Sequence, residues 1–75
     1  MKVPAIPDHV AALHERAANA ATESASHIEV LKDHLGIVFR DGNKHCRIDE
    51  SIIRANEGDP EWLDRAIANA IELVK

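Results

Sequence analysis

The sequence is poor in cysteine, in aromatic residues and in long apolar runs, and each shortage excludes a class of protein. Cys46 is the only cysteine, so the chain cannot form an internal disulfide. A lone thiol with no apolar signal region predicts a reducing, cytoplasmic location. No apolar run approaches the ~20 residues that a membrane-spanning helix needs. We therefore expect one small soluble domain over residues 1–75, with no membrane association.

The shortage of aromatic side chains and of positive charge makes nucleic acid the less expected partner. Only Phe39 and Trp62 are aromatic, whereas proteins that grip single strands usually stack several aromatic side chains on bases. The formal charge of -4 opposes non-specific binding to phosphates. Residues 36–56 are the only basic stretch, with a formal charge of +1.

The first half of the chain predicts an alanine-rich helix after an extended lead-in over residues 1–7. Asp8 occupies an N-cap position, and apolar residues then recur every three or four positions. A single rod to residue 34 would be about 40 Å long, longer than a compact domain of this size, which is about 28–30 Å across. The preferred interpretation is a break near residues 22–26, giving helices 8–22 and 27–35. Ser26 and Glu29 would form a capping box for the second helix, and Gly36 would end it.

The middle of the chain predicts a β-hairpin over residues 37–48. The turn-forming stretch Asp41–Lys44 separates two short runs that are rich in β-branched or apolar residues. A four-residue loop would pair Phe39 with Cys46 and Ile37 with Ile48, which places four apolar side chains on one face. The other face would carry Val38, Arg40, His45 and Arg47.

The last element has the clearest signals and predicts a helix over residues 60–74. Asp59 is the expected N-cap, Pro60 suits the first helical position, and Glu61 lies at the positive end of the helix dipole. The predicted fold class is α+β in a single small domain, with the order α-ββ-α. The predicted buried stripe of the helix is Trp62, Leu63, Ala66, Ile67, Ala70, Ile71 and Val74.

The histidines and the cysteine do not fall into a pattern that predicts catalysis or metal binding. There is no Cys-x-x-Cys or His-x-x-x-His spacing. Glu23, His27 and His34 would share a face only if the helix continued through residue 34. His45 and Cys46 are neighbours on a strand, so their side chains point to opposite faces and do not form a thiol–imidazole pair. We expect no cofactor, no metal and no catalytic site, and hence not an enzyme.

Two surfaces are candidates for binding. The first is a basic patch on the outer face of the hairpin, where arginine is suited to carboxylates or phosphates; its residues are Val38, Arg40, Lys44, His45 and Arg47. The second is the weakly apolar stripe of the first helix, which would be buried by self-association into a homodimer; its residues are Val10, Leu13, Ala17, Ala20 and Ala21. The alternative for this stripe is internal packing against residues 60–74.

The expected function is therefore a small non-enzymatic module for protein–protein interaction. Such a chain could serve as a docking or adaptor protein, an inhibitor, or an accessory factor encoded by a phage or mobile element. The alternative is a regulator associated with nucleic acid that uses Arg40, Lys44, Arg47 and Arg54.

Overall fold

The computed structural model describes residues 5–24 and 27–75 and confirms an α+β fold. An antiparallel sheet with strand order β1-β2-β3 is covered by helices on one face. Among the described residues, no helix is long and apolar enough to cross a membrane. The elements in chain order are α1 (Asp8–Ser24), β1 (Glu29–Asp33), β2 (Gly36–Asp41), β3 (Lys44–Asp49), α2 (Glu50–Ala55) and α3 (Pro60–Val74).

The first helix stops where the sequence predicted a break, but the next element is a strand. α1 ends at Ser24, so a continuous rod is wrong. A second helix over 27–35 is also wrong, because Glu29–Asp33 forms β1 and pairs with β2. In this conformation Ile28 is buried and Val30 packs against the core, while pairing provides the backbone hydrogen bonds. Ser26, the predicted cap, lies outside the described residues. At the other end, the Pro7 carbonyl accepts from the N–H groups of Val10 and Ala11, so the cap position is Pro7, and Asp8, the predicted cap, is the first residue of α1.

Gly36 connects β1 to β2 instead of ending a helix. Its φ of 139° lies in a region that side chains rarely adopt. A Cβ at this position would lie 2.1 Å from the Ile48 carbonyl oxygen. The preceding turn is held by Asp33, whose Oδ1 accepts from the Leu35 N–H at 2.8 Å. The close contact between β2 and β3 at this point therefore requires glycine.

The hairpin of β2 and β3 has the predicted register. Phe39 pairs with Cys46 and Ile37 with Ile48, and Phe39 and Ile37 are fully buried. The loop is shorter than predicted, because Asp41 and Lys44 also pair and leave only Gly42 and Asn43 in the turn. Gly42 has a φ of 62°, which suits the first central position of a tight hairpin turn.

The C-terminal helix agrees closely with the prediction. α3 spans Pro60–Val74, and the Asp59 carboxylate accepts from the Trp62 N–H at 3.1 Å. The predicted stripe faces the core, with Trp62 and Ala66 only partly buried. Between the hairpin and α3, the short helix α2 inserts Ile53 into the core and leaves Ile52 exposed.

The helices and the sheet share a single apolar core. Side chains of all three helices meet the inner residues of β2 and β3 there. Val10, Leu13, Ala17 and Ala21 are at most 2% exposed, and Ala20 packs partly against them. The stripe of α1 that was predicted to mediate self-association is therefore inside the folded chain, and its assignment to a homodimer surface is wrong. Covering β1 and contacting α3 already removes these side chains from water.

Candidate functional site: the open face of the sheet

The face of the sheet opposite the helices has no described element packed on it. Side chains alternate along each strand, so one set faces the core and the other faces outward. The register aligns the outward set in rows across the three strands. We call this surface the open face; its side chains are Glu29, Leu31, Asp33, Val38, Arg40, His45, Arg47 and Asp49.

Four of the five predicted partner-binding residues lie together on the open face. Val38 pairs with Arg47 across the hairpin, and Arg40 pairs with His45. Lys44 is the exception, because its position in β3 places it on the helix side of the sheet with Cys46 and Ile48. Its ammonium donates to the Lys75 backbone carbonyl at 2.8 Å. The inclusion of Lys44 in the outer patch is therefore wrong.

The arginines of the open face are paired with carboxylates of β1. Arg40 donates to Glu29 at 2.8 Å, and Arg47 lies 3.6 Å from an Asp33 oxygen. All four side chains are more than a third exposed, so each pair contributes at most about 1 kcal/mol to stability. Asp49 adds a third carboxylate to this face. The patch is therefore of mixed charge, which corrects the prediction that it is cationic.

An apolar centre lies between these charges. Leu31 and Val38 pair directly across β1 and β2, and Leu31 is 42% exposed. Leu35, in the turn at one end of the face, is 52% exposed. It borders a shallow hollow of about 360 Å³ that also touches Arg47 and the start of α2. Surfaces that bind proteins commonly combine such an apolar centre with a charged rim.

The predicted site missed the contribution of β1. The sequence predicts a helix for Glu29, Leu31 and Asp33, whereas the structure places them in a strand beside the hairpin. A signal was present, because Ile28 and Val30 are β-branched, are two residues apart and precede a glycine turn. This alternation covers only two apolar residues, and it is interrupted because the next residue, Leu31, is also apolar.

The histidines that were considered as metal ligands lie apart. Since β1 is a strand, His27 and His34 lie at its two ends, roughly 20 Å apart. His27 lies 3.0 Å from an Asp41 carboxylate oxygen instead. Within residues 5–24 and 27–75, no group of three or more potential ligands converges on a point that could hold a metal ion.

A second concave region lies between α1, α2 and the start of α3. Its volume is about 430 Å³, and Leu13, Ile53 and Leu63 form part of its wall. The nearby His9 Nε2 lies 2.7 Å from Glu50 Oε2, with both side chains about four-fifths buried. None of the described residues that line this region is a serine, threonine or cysteine. The His9–Glu50 pair therefore joins α1 to α2.

The cations proposed for nucleic-acid binding do not converge on one surface. Arg40 and Arg47 share the open face, but Lys44 lies on the other side of the sheet. Arg54 belongs to α2, where its Nε is 3.5 Å from Glu50.

Comparison of the chain with protein-family models, with curated proteins and with solved structures gave no match.

Proposed function

We propose that this chain is a non-enzymatic protein-binding module whose open face receives a partner protein. The observation that supports the proposal is the Leu31–Val38 pair, in which Leu31 is 42% exposed, framed by Arg40 and Arg47 with their carboxylates. Arginine is enriched among the residues that supply most of the binding energy of an interface, and removing apolar side chains from water is also favourable. The lone Cys46 supports placing this module in the cytoplasm, as an adaptor, inhibitor or accessory factor.

The charge of the open face favours a protein over a nucleic acid. Each arginine already has a carboxylate neighbour, and Asp49 is an additional negative charge on the same face. A phosphate backbone would have to approach all three carboxylates, which repel it. A protein surface with both signs of charge can match this pattern. Self-association through α1 is not part of the proposal, because that stripe lies in the core.

The open face alone is too small for a standard interface. Three strands of this length present a face of roughly 10–14 Å by 17–20 Å. A stable interface takes about 800 Å² from each partner. A partner that binds here must therefore extend past the face, toward exposed Leu35 and its hollow or along an edge of the sheet.

The test is affinity capture from lysate of the native host with wild-type protein and the double variant Leu31→Thr/Val38→Thr. Threonine suits a strand, so the variant removes the apolar centre and keeps the sheet. Leu73→Gln is the matched control, because Leu73 is 69% exposed on α3, away from the face. Circular dichroism checks that each variant is folded.

We expect wild-type protein and Leu73→Gln to retain the same protein after nuclease treatment. The double variant should retain about tenfold less, equivalent to about 1.4 kcal/mol. Equal retention by the folded double variant would contradict the proposal. Captured material that disappears with nuclease would instead favour the nucleic-acid alternative.

A further inference from the structure

The two edges of the sheet differ in whether their backbone groups are used. In an antiparallel pair, only alternate residue pairs exchange backbone hydrogen bonds. The Glu50 N–H donates to the Leu35 carbonyl at 2.8 Å, which fixes the alternation for the whole hairpin. The bonded pairs are then Ile37–Ile48, Phe39–Cys46 and Asp41–Lys44. The backbone groups of His45 and Arg47 therefore point away from β2, toward the edge.

The edge of β3 is open, whereas that of β1 is partly closed. No described residue makes a hydrogen bond to the outward backbone groups of His45 or Arg47. In β1 the same alternation points Val30 and Lys32 outward. There, His14 Nε2 donates to the Val30 carbonyl at 2.8 Å, and α1 packs beside the strand. A protected edge on one side and an unprotected one on the other makes β3 the place for an added strand.

The side chains of β3 specify the chemistry of that strand. An added strand places its side chains about 4.5–5.5 Å from those directly opposite. On the open face they would lie beside His45 and Arg47, which favour carboxylates, whereas Asp49 at the end of β3 does not. On the helix side they would lie beside Cys46 and Ile48, which favour apolar groups, with Lys44 at the end. β1 has the opposite charge bias, with Glu29 and Asp33 beside a single lysine.

We infer that β3 is extended by a strand from the partner protein whose residues alternate between acidic and apolar. This inference rests on the proposed protein-binding function and names its mode of recognition. Main-chain hydrogen bonds to His45 and Arg47 supply affinity, and the alternating side chains supply specificity. The added strand also enlarges the contact beyond the open face, as the small area of that face requires.

The probe is a terminally blocked peptide of alternating valine and glutamate, as long as β3. Amide hydrogen exchange, followed residue by residue by NMR, reports which edge the peptide occupies. We expect exchange at His45 and Arg47 to slow by about tenfold or more, since bound amides become hydrogen-bonded. The exchange rates of the Val30 and Lys32 amides should be unchanged. A peptide with lysine in place of glutamate should bind about tenfold more weakly.

Proline substitution tests the backbone contact. His45→Pro removes an outward N–H and leaves the bonds to β2 intact, and proline is tolerated at such edge positions. His45→Ala keeps the N–H and is the matched control; Lys32→Pro makes the same change at the other edge. We expect His45→Pro alone to lower peptide affinity by about tenfold or more. If His45→Pro does not fold, Arg47→Glu replaces it and should reverse the preference between the glutamate and lysine peptides.

Absence of peptide binding at millimolar concentration, protection of β1 instead of β3, or equal binding by folded His45→Pro would overturn the inference. Affinity capture from lysate distinguishes failure of the strand-addition inference from failure of the proposed protein-binding function. A partner retained by His45→Pro but lost by Leu31→Thr/Val38→Thr would support the open face as the binding surface and would rule out strand addition at β3. Loss with both variants supports both proposals.

Discussion

Gly36 is the residue at which the fold has the least room for a side chain. Its φ of 139° is strained for any other residue, and a Cβ would lie 2.1 Å from the Ile48 carbonyl oxygen. That oxygen belongs to backbone and cannot rotate away, so β2 and β3 would have to separate. We expect Gly36→Ala to lower the free energy of unfolding by about 2–4 kcal/mol, measured by urea denaturation.

Gly58 provides the matched control for this substitution. Its φ is not positive, and a Cβ there would meet no atom within 4 Å. Alanine at this position restricts the unfolded chain without straining the folded one, so Gly58→Ala should be neutral or stabilise by up to about 1 kcal/mol. An equal loss of stability in the two variants would show that the close contact at Gly36 is not the cause.

At the scale of elements, the two C-terminal helices differ in how their first turns are capped. The Asp59 carboxylate accepts from the Trp62 N–H at the start of α3, whereas Asp49 at the start of α2 makes no such bond. Asp59→Ala should therefore cost about 1 kcal/mol, and Asp49→Ala less than about 0.5 kcal/mol. Thermal unfolding followed by circular dichroism measures both, and a larger loss for Asp49→Ala would contradict this interpretation of the caps.

The elements that the sequence predicted well are those with local signals. Asp59 and Pro60 define the start of α3, and the turn residues around Gly42 define the hairpin and its register. β1 has only the short alternation of Ile28 and Val30 as a local signal, and residues 29–33 pair with residues 36–40. Pairing between two segments of the chain cannot be predicted from the sequence of either segment alone.

The same limitation affected the candidate site. Val38, Arg40, His45 and Arg47 were placed correctly on one face because the register of the hairpin was correct. Their charge environment was not, since Glu29 and Asp33 come from the strand that was missed. The surface that the sequence predicts to be a cationic patch is therefore a face of mixed charge with an apolar centre.

At the scale of the whole molecule, the sheet and helices form a thin two-layer body. The Cα atoms span 33 × 31 × 16 Å. With helices on one face only, the core is completed within a single chain, and the other face of the sheet remains available. Under the proposed function, stability therefore depends on the helix side of the sheet and partner binding on the open face. Variants of the open face should therefore change binding more than folding.

The burial of the α1 stripe predicts that folding does not depend on a second copy of the chain. Val10, Leu13, Ala17 and Ala21 are covered within the monomer, so we expect the thermal midpoint to stay constant over about a hundredfold range of protein concentration. A dimer coupled to folding would instead gain about 2.7 kcal/mol over that range, which raises the midpoint by roughly 10–20 °C in a domain of this size. Ala17→Leu should overfill the core and lower stability by about 1–3 kcal/mol at every concentration. A midpoint that rises with concentration in the wild type, together with an Ala17→Leu variant that stabilises, would place this stripe in an interface after all.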